Sequence, residues 1–227
     1  MKKPFGVLFL SILFGNIFAQ NIQLHYDMGK GRGYLTSTVE MFRPDKTGNT
    51  FFFIDFNYGD GDVEGVSLAY FEIARCFKLG DSPFSWHGEY NGGFGQWKDG
   101  NASGAYTISD AWLTGIDYSW NSQDFSKGFS LKVLYKNLAN TVDDKPNSFQ
   151  LTGVWHLNFA KGKLSFTGFA DFWKEKTDYG KYIFLSEPQI WFNASSHFSV
   201  GSEIELSNDF NMDGFKVMPT LGAKYTF

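Results

Sequence analysis

The sequence is poor in cysteine, in basic clusters and in continuous apolar runs. Its single cysteine, Cys76, excludes a disulfide framework and any cysteine-based zinc site. Lys and Arg number 20 against 24 Asp and Glu, and no basic stripe is present that could neutralise phosphates, so no nucleic-acid partner is expected. A mean hydropathy of −0.26 is too low for several membrane helices, because each would need roughly 20 apolar residues.

What the chain has in abundance is aromatic side chains. Phe, Tyr and Trp contribute 26, 11 and 7 of the 227 residues, as many as all the charged residues together. A chain with so much large apolar surface is not disordered, and it must bury that surface in a core or in lipid.

The first residues have the pattern of a secretory signal peptide. Lys2 and Lys3 precede a mostly apolar stretch over 5–18, and Ala19 supplies a small residue before polar Gln20. We therefore predict a cleaved signal at 1–19 and a single domain at 20–227. The alternative of a membrane anchor is disfavoured because the run is too short. A lipoprotein would need a cysteine at the cleavage site.

The remainder of the chain alternates apolar and polar residues with a period of two. In the last segment Phe215, Val217, Leu221 and Tyr225 alternate with polar neighbours, and no stretch has helical periodicity. Twelve such segments are predicted, at roughly 21–28, 34–43, 50–58, 66–78, 84–94, 108–120, 128–137, 148–159, 163–173, 182–192, 197–206 and 215–227. An even number of strands of this length predicts an all-β fold, a closed antiparallel up-and-down transmembrane β-barrel of about 12 strands. Pro188 predicts a bulge in the tenth segment.

The connections are predicted to differ between the two ends of this barrel. Five are mostly tight turns, at 44–49, 79–83, 121–127, 160–162 and 193–196. The stretches 95–107 and 137–147 are longer and are expected to be loops on the outer face.

A soluble β-sandwich would show the same alternation, but it would bury the apolar face inward. Three observations favour the membrane barrel. One is the signal peptide, and another is an apparent aromatic girdle near strand ends, formed by Phe84, Trp86, Trp112, Trp120, Phe172, Trp191 and Phe192. The third is the aromatic last strand. Its Tyr225 and Phe227 resemble the terminal signature that outer-membrane assembly machinery recognises in barrel proteins.

We accordingly predict a monomer in the outer membrane of a Gram-negative bacterium. Outer-membrane lipid and the barrel assembly machinery are its expected partners.

Two internal runs and the aromatic last strand resemble the Tsx nucleoside-specific channel group and its shorter outer-membrane relatives. The runs are Phe53-Ile54-Asp55-Phe56-Asn57-Tyr58 and Phe71-Glu72-Ile73-Ala74-Arg75-Cys76-Phe77. The resemblance covers the predicted mature chain in segment number and order. It implies a channel whose leading candidate solute is a nucleoside.

The polar face of the strands is predicted to line the lumen, where charged side chains meet water rather than lipid. The candidate substrate-binding residues on this face are Asp55, Glu72, Glu89, Asp117, Lys132, Asp171, Trp173, Glu187 and Glu203. Mixed signs argue against strong ion selectivity and suit a neutral, hydroxyl-rich solute with a ring that stacks on an aromatic side chain. The alternative is that these residues pair across a filled interior.

An enzyme is not expected. Some twelve-stranded barrels are phospholipases with a Ser/His pair, but neither His156 nor His197 has a serine at an obvious pairing distance. The four histidines, with His25 and His87, are scattered without metal-ligand spacing, so neither a metal site nor a cofactor is predicted. The predicted function is passive uptake of small polar solutes. The alternative is a barrel without transport that has a structural or surface-interaction role.

Overall fold

A computed structural model describes residues 19–59, 61–139 and 146–227. The predicted signal peptide, apart from Ala19, lies outside these residues, as does the centre of the 137–147 connection. Among the described residues, no helix is long and apolar enough to cross a membrane.

The described chain forms one sheet of thirteen hydrogen-bonded strands whose first and last members pair with each other. Their bounds are β1 Ala19–Asp27, β2 Leu35–Asp45, β3 Gly48–Tyr58, β4 Val66–Lys78, β5 Phe84–Asp99, β6 Ala102–Asn121, β7 Lys127–Leu138, β8 Asn147–Phe159, β9 Leu164–Lys174, β10 Tyr182–Ser186, β11 Gln189–Asn193, β12 Phe198–Asn208 and β13 Phe215–Thr226. Both β10 and β11 lie between β9 and β12, so they are two halves of one barrel strand. The fold is therefore a closed antiparallel 12-stranded β-barrel, which confirms the predicted fold class.

The strand is interrupted at Glu187 and Pro188, as the proline predicts. Pro188 has no N–H to donate to the ladder, but its carbonyl oxygen accepts a 3.0 Å hydrogen bond from Ile204 N. The opposing residue is Gly168 at φ 154°, where a Cβ would lie 2.7 Å from the backbone carbonyl oxygen of Glu187. The close approach of the two backbones therefore requires glycine at this position.

The polar face points into the barrel and the apolar face points outward. In β1, for example, Gln23, His25 and Asp27 are buried while Leu24 and Tyr26 are exposed. A soluble sandwich would have the opposite arrangement. The exposed apolar band is the lipid-facing surface of a transmembrane barrel.

The two ends of the barrel differ. Ala19 and Phe227, the first and last described residues, lie at the same end as the five predicted tight turns, and we call it the short-turn end. At the opposite end β5 and β6 extend beyond their neighbours to Asp99 and Ala102, and we call this the hairpin end.

The prediction of a loop over 95–107 is wrong, because this stretch is a paired hairpin. Gly95 faces Tyr106 and Trp97 faces Gly104 across the two strands. The Tyr106 ring lies over Gly95 and the Trp97 ring over Gly104, so each aromatic covers the backbone of a glycine. Cross-strand aromatic–glycine pairs of this kind stabilise strands that are otherwise weak because of their glycines.

The aromatic girdle is also corrected at one position. Phe84, Trp86, Trp112, Trp120, Phe172 and Phe192 are exposed on the outer surface, but Trp191 is 0% exposed. Trp191 points into the lumen because it faces Gly201 across the ladder, and Gly201 and Gly222 leave room for its ring. The ring meets His25 edge-on with centroids 5.6 Å apart, and Lys224 Nζ lies 4.3 Å from its centroid. Trp191 therefore fills part of the lumen.

Candidate functional site in the barrel lumen

All nine predicted lumen residues lie on the inward face of the barrel. The register shows this directly, because Asp55 is level with Tyr70, Glu72 with Asn91, and Asp117 with Lys132. Acidic side chains outnumber lysines on this face: the acids are Asp27, Glu40, Asp55, Glu72, Glu89, Asp117, Asp171, Glu187, Glu203 and Glu205, and the lysines are Lys132, Lys136, Lys216 and Lys224.

Five of these acids form what we call the acidic wall. Its members are Glu40, Asp55, Glu72, Glu187 and Glu203. They come from β2, β3, β4, the break after β10, and β12. Glu187 is within electrostatic range of Glu203, Asp55 and Glu72, so carboxylates from opposite sides of the barrel repel one another across the lumen.

Neutral side chains hydrogen-bond three members of the acidic wall, while Lys136 and Lys224 lie within electrostatic range of Glu72 and Glu40. Thr38 donates to Asp55 at 2.5 Å, Tyr70 donates to Glu72 at 2.7 Å, and Gln189 donates to Glu203 at 2.5 Å. In the part of the chain that the structure describes, no ion pair within 4 Å involves any of the five carboxylates. The wall therefore concentrates acidic groups that have no cation among the described residues within ion-pair distance.

Three aromatic side chains lie along the acidic wall. Phe51, Phe53 and Tyr70 share its face, with centroids 6.0 Å apart for Phe51–Phe53 and 5.9 Å for Phe53–Tyr70. We call them the aromatic ladder. They were not among the predicted lumen residues. The sequence contains a signal for two of them, because Phe51 and Phe53 are alternate residues with Asp55 and therefore lie on the same face of β3.

The part of the lumen lined by β5 to β9 carries both signs of charge, and we call it the mixed wall. Its members, on β5 to β9, are Glu89, Asp117, Lys132, Lys136 and Asp171. Lys132 is within electrostatic range of Glu89, Asp117 and Asp171. Its charge therefore offsets theirs.

Two buried acceptor atoms in this region accept no hydrogen bond from the described residues. They are Asn91 Oδ1, level with Glu72, and Asp171 Oδ1. A buried acceptor without a donor is unfavourable. A solute with N–H or O–H groups would satisfy both atoms.

Trp173 lies at the hairpin end and is 6% exposed. Its Nε1 donates to Glu175 at 2.8 Å, and Lys136 Nζ lies 4.5 Å from its ring centroid. Phe210 packs edge-on with centroids 5.8 Å apart. In this arrangement the Trp173 ring is covered, and the side chains of the aromatic ladder are the more accessible aromatic surface.

Arg32, in the connection between β1 and β2, reaches back to two lumen acids. Its Nη1 is 2.9 Å from Asp27 Oδ2 and its Nη2 is 2.7 Å from Glu205 Oε2. This bridge crosses β13, which lies between β1 and β12. Asp27 and Glu205 thus share one cationic partner, unlike the members of the acidic wall.

A groove on the barrel surface is not part of this site. It has a volume of about 560 Å³ and lies mainly on the outer face, where Gly88 opens a space between Trp86 and Trp112. In a membrane this groove is in contact with lipid.

Comparison with known proteins agrees with this architecture. Residues 19–227 match the family described as "Domain of unknown function (DUF5020)". The chain belongs to the DUF5020 family. Among solved structures, this DUF5020 protein is similar to the NanC porin, with a TM-score of 0.60, 11% identity and 92% of this chain and 100% of the other covered. It is also similar to the KdgM porin, with a TM-score of 0.54, 9% identity and coverage of 92% and 99%.

At these identities the likeness establishes the porin barrel fold alone. No curated protein has a significant match to the sequence.

Proposed function

We propose that this protein is a channel in the outer membrane of Gram-negative bacteria that admits small polar solutes, with nucleosides as the leading candidate. In this proposal the signal peptide at 1–19 is removed, and 20–227 forms a monomeric barrel in outer-membrane lipid. The supporting observation is the aromatic ladder beside the acidic wall, because these two features together suit a ring-containing solute with several hydrogen-bond donors.

The chemistry of a nucleoside matches both features. Its base can stack on Phe53 or Tyr70, at about 1–3 kcal/mol per base, which is weak enough for release. Its ribose hydroxyls and base N–H groups can donate to Asp55, Glu72 and Glu203. Asn91 and Asp171 offer further acceptors.

The negative potential of the acidic wall adds a charge preference to this proposal. Neutral and cationic solutes enter such a lumen readily, whereas anions are repelled. The mixed signs in the sequence argued against strong ion selectivity. Their separation onto two walls favours a preference for cations over anions.

The resemblance to the Tsx group supports the nucleoside assignment specifically. Trp173 retains a proposed role at the outer mouth, where movement of Lys136 would uncover its ring. Glu89 and Lys132 on the mixed wall are proposed to bind ribose hydroxyls at mid-height.

Uptake by vesicles tests the proposal. Vesicles containing the purified protein should admit nucleosides faster than sugars of similar size, and Phe53→Ala should slow nucleosides while leaving sugars unchanged. Phe52→Ala is the matched control, because Phe52 is the adjacent residue on the outer face. Trp173→Ala should reduce nucleoside flux without changing small-ion conductance.

Equal rates for nucleosides and sugars, unaffected by Phe53→Ala, would refute nucleoside preference and leave a general pore. If neither solute entered, the channel proposal itself would fail.

The aromatic last residues are proposed as the assembly signal. Tyr225 and Phe227 pack edge-on with centroids 5.4 Å apart, and both are exposed on the outer surface. Replacing both with Ser should reduce the amount of folded, heat-modifiable barrel in the outer membrane while export continues. Unchanged amounts of folded protein would show that assembly does not depend on these side chains.

The second candidate function is a surface-interaction role. The observation in its favour is the β5–β6 hairpin, which extends beyond its neighbours and exposes Phe94, Trp97 and Tyr106. Shortening the hairpin should leave solute flux unchanged under the channel proposal. Loss of binding to an outer partner, with no flux in the intact protein, would favour the surface role.

A further inference from the structure

Three potential metal ligands from three neighbouring strands meet inside the barrel near its short-turn end. Cys76 lies on β4, His87 on β5 and Asp117 on β6. Cys76 is level with His87, and His87 is level with Gly115, two residues before Asp117 on the same face. The register therefore gathers a thiol, an imidazole and a carboxylate that are distant in sequence.

The separations of these groups suit a single small cation. Cys76 Sγ is 3.2 Å from His87 Nδ1 and 3.5 Å from Asp117 Oδ2, and the donor atoms all lie within 4.8 Å of one another. Zinc–sulfur and zinc–nitrogen bonds of about 2.3 and 2.0 Å at a tetrahedral angle place the two ligand atoms about 3.5 Å apart. The three side chains need only small adjustments to bind one ion.

Hydrogen bonds from neighbouring side chains orient two of the three groups. His87 Nε2 is 2.7 Å from Glu89 Oε2, which favours the tautomer whose proton is on Nε2 and whose Nδ1 lone pair faces Cys76. Ser119 donates to Asp117 Oδ1 at 3.1 Å, which leaves Oδ2 directed at the thiol. A carboxylate on the far nitrogen of a ligand histidine is the usual arrangement in metal sites.

The charges of the region also balance around a divalent ion. A Cys76 thiolate, Asp117 and Glu89 supply three negative charges. Lys132, level with Asp117 in the ladder, supplies one positive charge. A divalent cation brings the sum over these four groups to zero, which reduces the cost of burying them together.

Against the expectation that a single cysteine excludes a cysteine-based zinc site, we propose that Cys76, His87 and Asp117 form a binding site for a divalent zinc-class cation. The thiolate and imidazole select zinc over magnesium or calcium, which prefer oxygen ligands. Three protein ligands leave the fourth tetrahedral position open for a small ligand. A role for Cys76 as a nucleophile fits less well, because the thiol is 3% exposed and a substrate would have to displace the lumen wall. The proposal does not depend on which solute the channel admits.

Cobalt substitution tests the site directly. Untagged protein, purified from membranes in detergent and stripped with a chelator, is titrated with Co²⁺ and then with Zn²⁺. We expect one equivalent of Co²⁺ to produce a thiolate-to-cobalt charge-transfer band and intense tetrahedral visible bands, and Zn²⁺ to abolish both. Absence of the charge-transfer band in the wild-type protein would overturn the proposal without any variant.

Variants separate the ligands from the residues around them. Glu89→Gln should weaken Zn²⁺ binding by 10–100-fold, as loss of the carboxylate that orients a ligand histidine does. Cys76→Ser and Asp117→Asn should weaken it further, and Cys76→Ser should also remove the charge-transfer band. His25→Gln is the matched control, since His25 is a buried lumen histidine whose ring nitrogens contact Thr220 and Gln23. It should bind Zn²⁺ as the wild type does.

Heat-modifiability confirms that each variant is folded before metal is added. If Cys76→Ser fails to fold, Asp117→Asn and the wild-type spectrum still decide the question. Equal Zn²⁺ affinity in the wild type and in a folded Cys76→Ser or Asp117→Asn variant would refute the site.

Discussion

The acidic wall and the mixed wall line the same lumen, but the charged side chains on the two walls have different kinds of partner. On the mixed wall, Lys132 lies within electrostatic range of Glu89, Asp117 and Asp171. On the acidic wall, Thr38, Tyr70 and Gln189 stabilise three carboxylates with hydrogen bonds and add no positive charge. The difference shows that charge balance in a pore is a local property, set by which strands face each other.

This local imbalance has a functional meaning. A carboxyl group held by neutral donors is free to interact with a passing solute, whereas one beside a lysine has much of its potential offset. The acidic wall is therefore where we expect selection by charge, and the mixed wall is where we expect fixed structure.

The two walls would not line the lumen if the inward and outward faces of the strands were reversed. One pair of substitutions tests the assignment of the faces. Leu131→Arg places a charge on the outer face of β7 and should destabilise the barrel by about 2–4 kcal/mol near mid-bilayer. Ser130→Arg places it on the inner face and should cost much less. Unfolding of both variants in lipid vesicles measures the difference. A larger cost for Ser130→Arg would invert the lumen assignment.

Arg32 marks the limit of the acidic wall, because it pairs with both Asp27 and Glu205. Arg32→Gln should destabilise the barrel by about 2 kcal/mol, since two largely buried carboxylates lose a charged hydrogen-bond donor. It should also extend the negative region towards the hairpin end and raise the preference for cations. Denaturant unfolding measures the stability change, and bilayer reversal potentials measure the selectivity. Unchanged stability would mean that the bridge contributes nothing to closure.

The smallest expected effect is on selectivity when charge is removed from one wall at a time. One unit charge at about 6 Å and an effective dielectric constant of about 40 is worth about 1.4 kcal/mol, a factor of about 10. Glu187→Gln should therefore lower the cation-to-anion permeability ratio by up to about tenfold. Asp171→Asn is the mixed-wall control and should change the ratio less. Equal changes in reversal potential would contradict the functional difference between the walls.

Most of the barrel could be predicted from period-two alternation, because a strand between water and lipid must alternate. The alternation located all twelve barrel strands and put the nine candidate residues on the inner face. The girdle prediction was wrong for Trp191, because it depended on position near a strand end and not on the face of the strand. The space for the Trp191 ring is left by Gly201 and Gly222, which lie on other strands.

The features that sequence reasoning missed depend on register between strands. Glycines in 95–107 suggested a loop, but Tyr106 and Trp97 cover those glycines once the strands pair. Likewise, spacing along the chain cannot reveal that Cys76, His87 and Asp117 converge. Register is set by turn geometry and bulges, which composition does not encode.

The closing seam has a consequence for how the chain could be rearranged. Asn21 is level with Thr226, and Phe227 N donates to Gln20 O at 3.0 Å, so the two ends of the barrel domain are adjacent. A short linker could join them, and new ends could be opened in another turn of the short-turn end, giving a circular permutant with the same ladder. Such a permutant would carry Tyr225 and Phe227 in mid-chain. The permutant would therefore separate two requirements that the natural chain combines. Refolding in detergent depends on the closed ladder, whereas delivery to the membrane depends on the position of the aromatic residues along the chain.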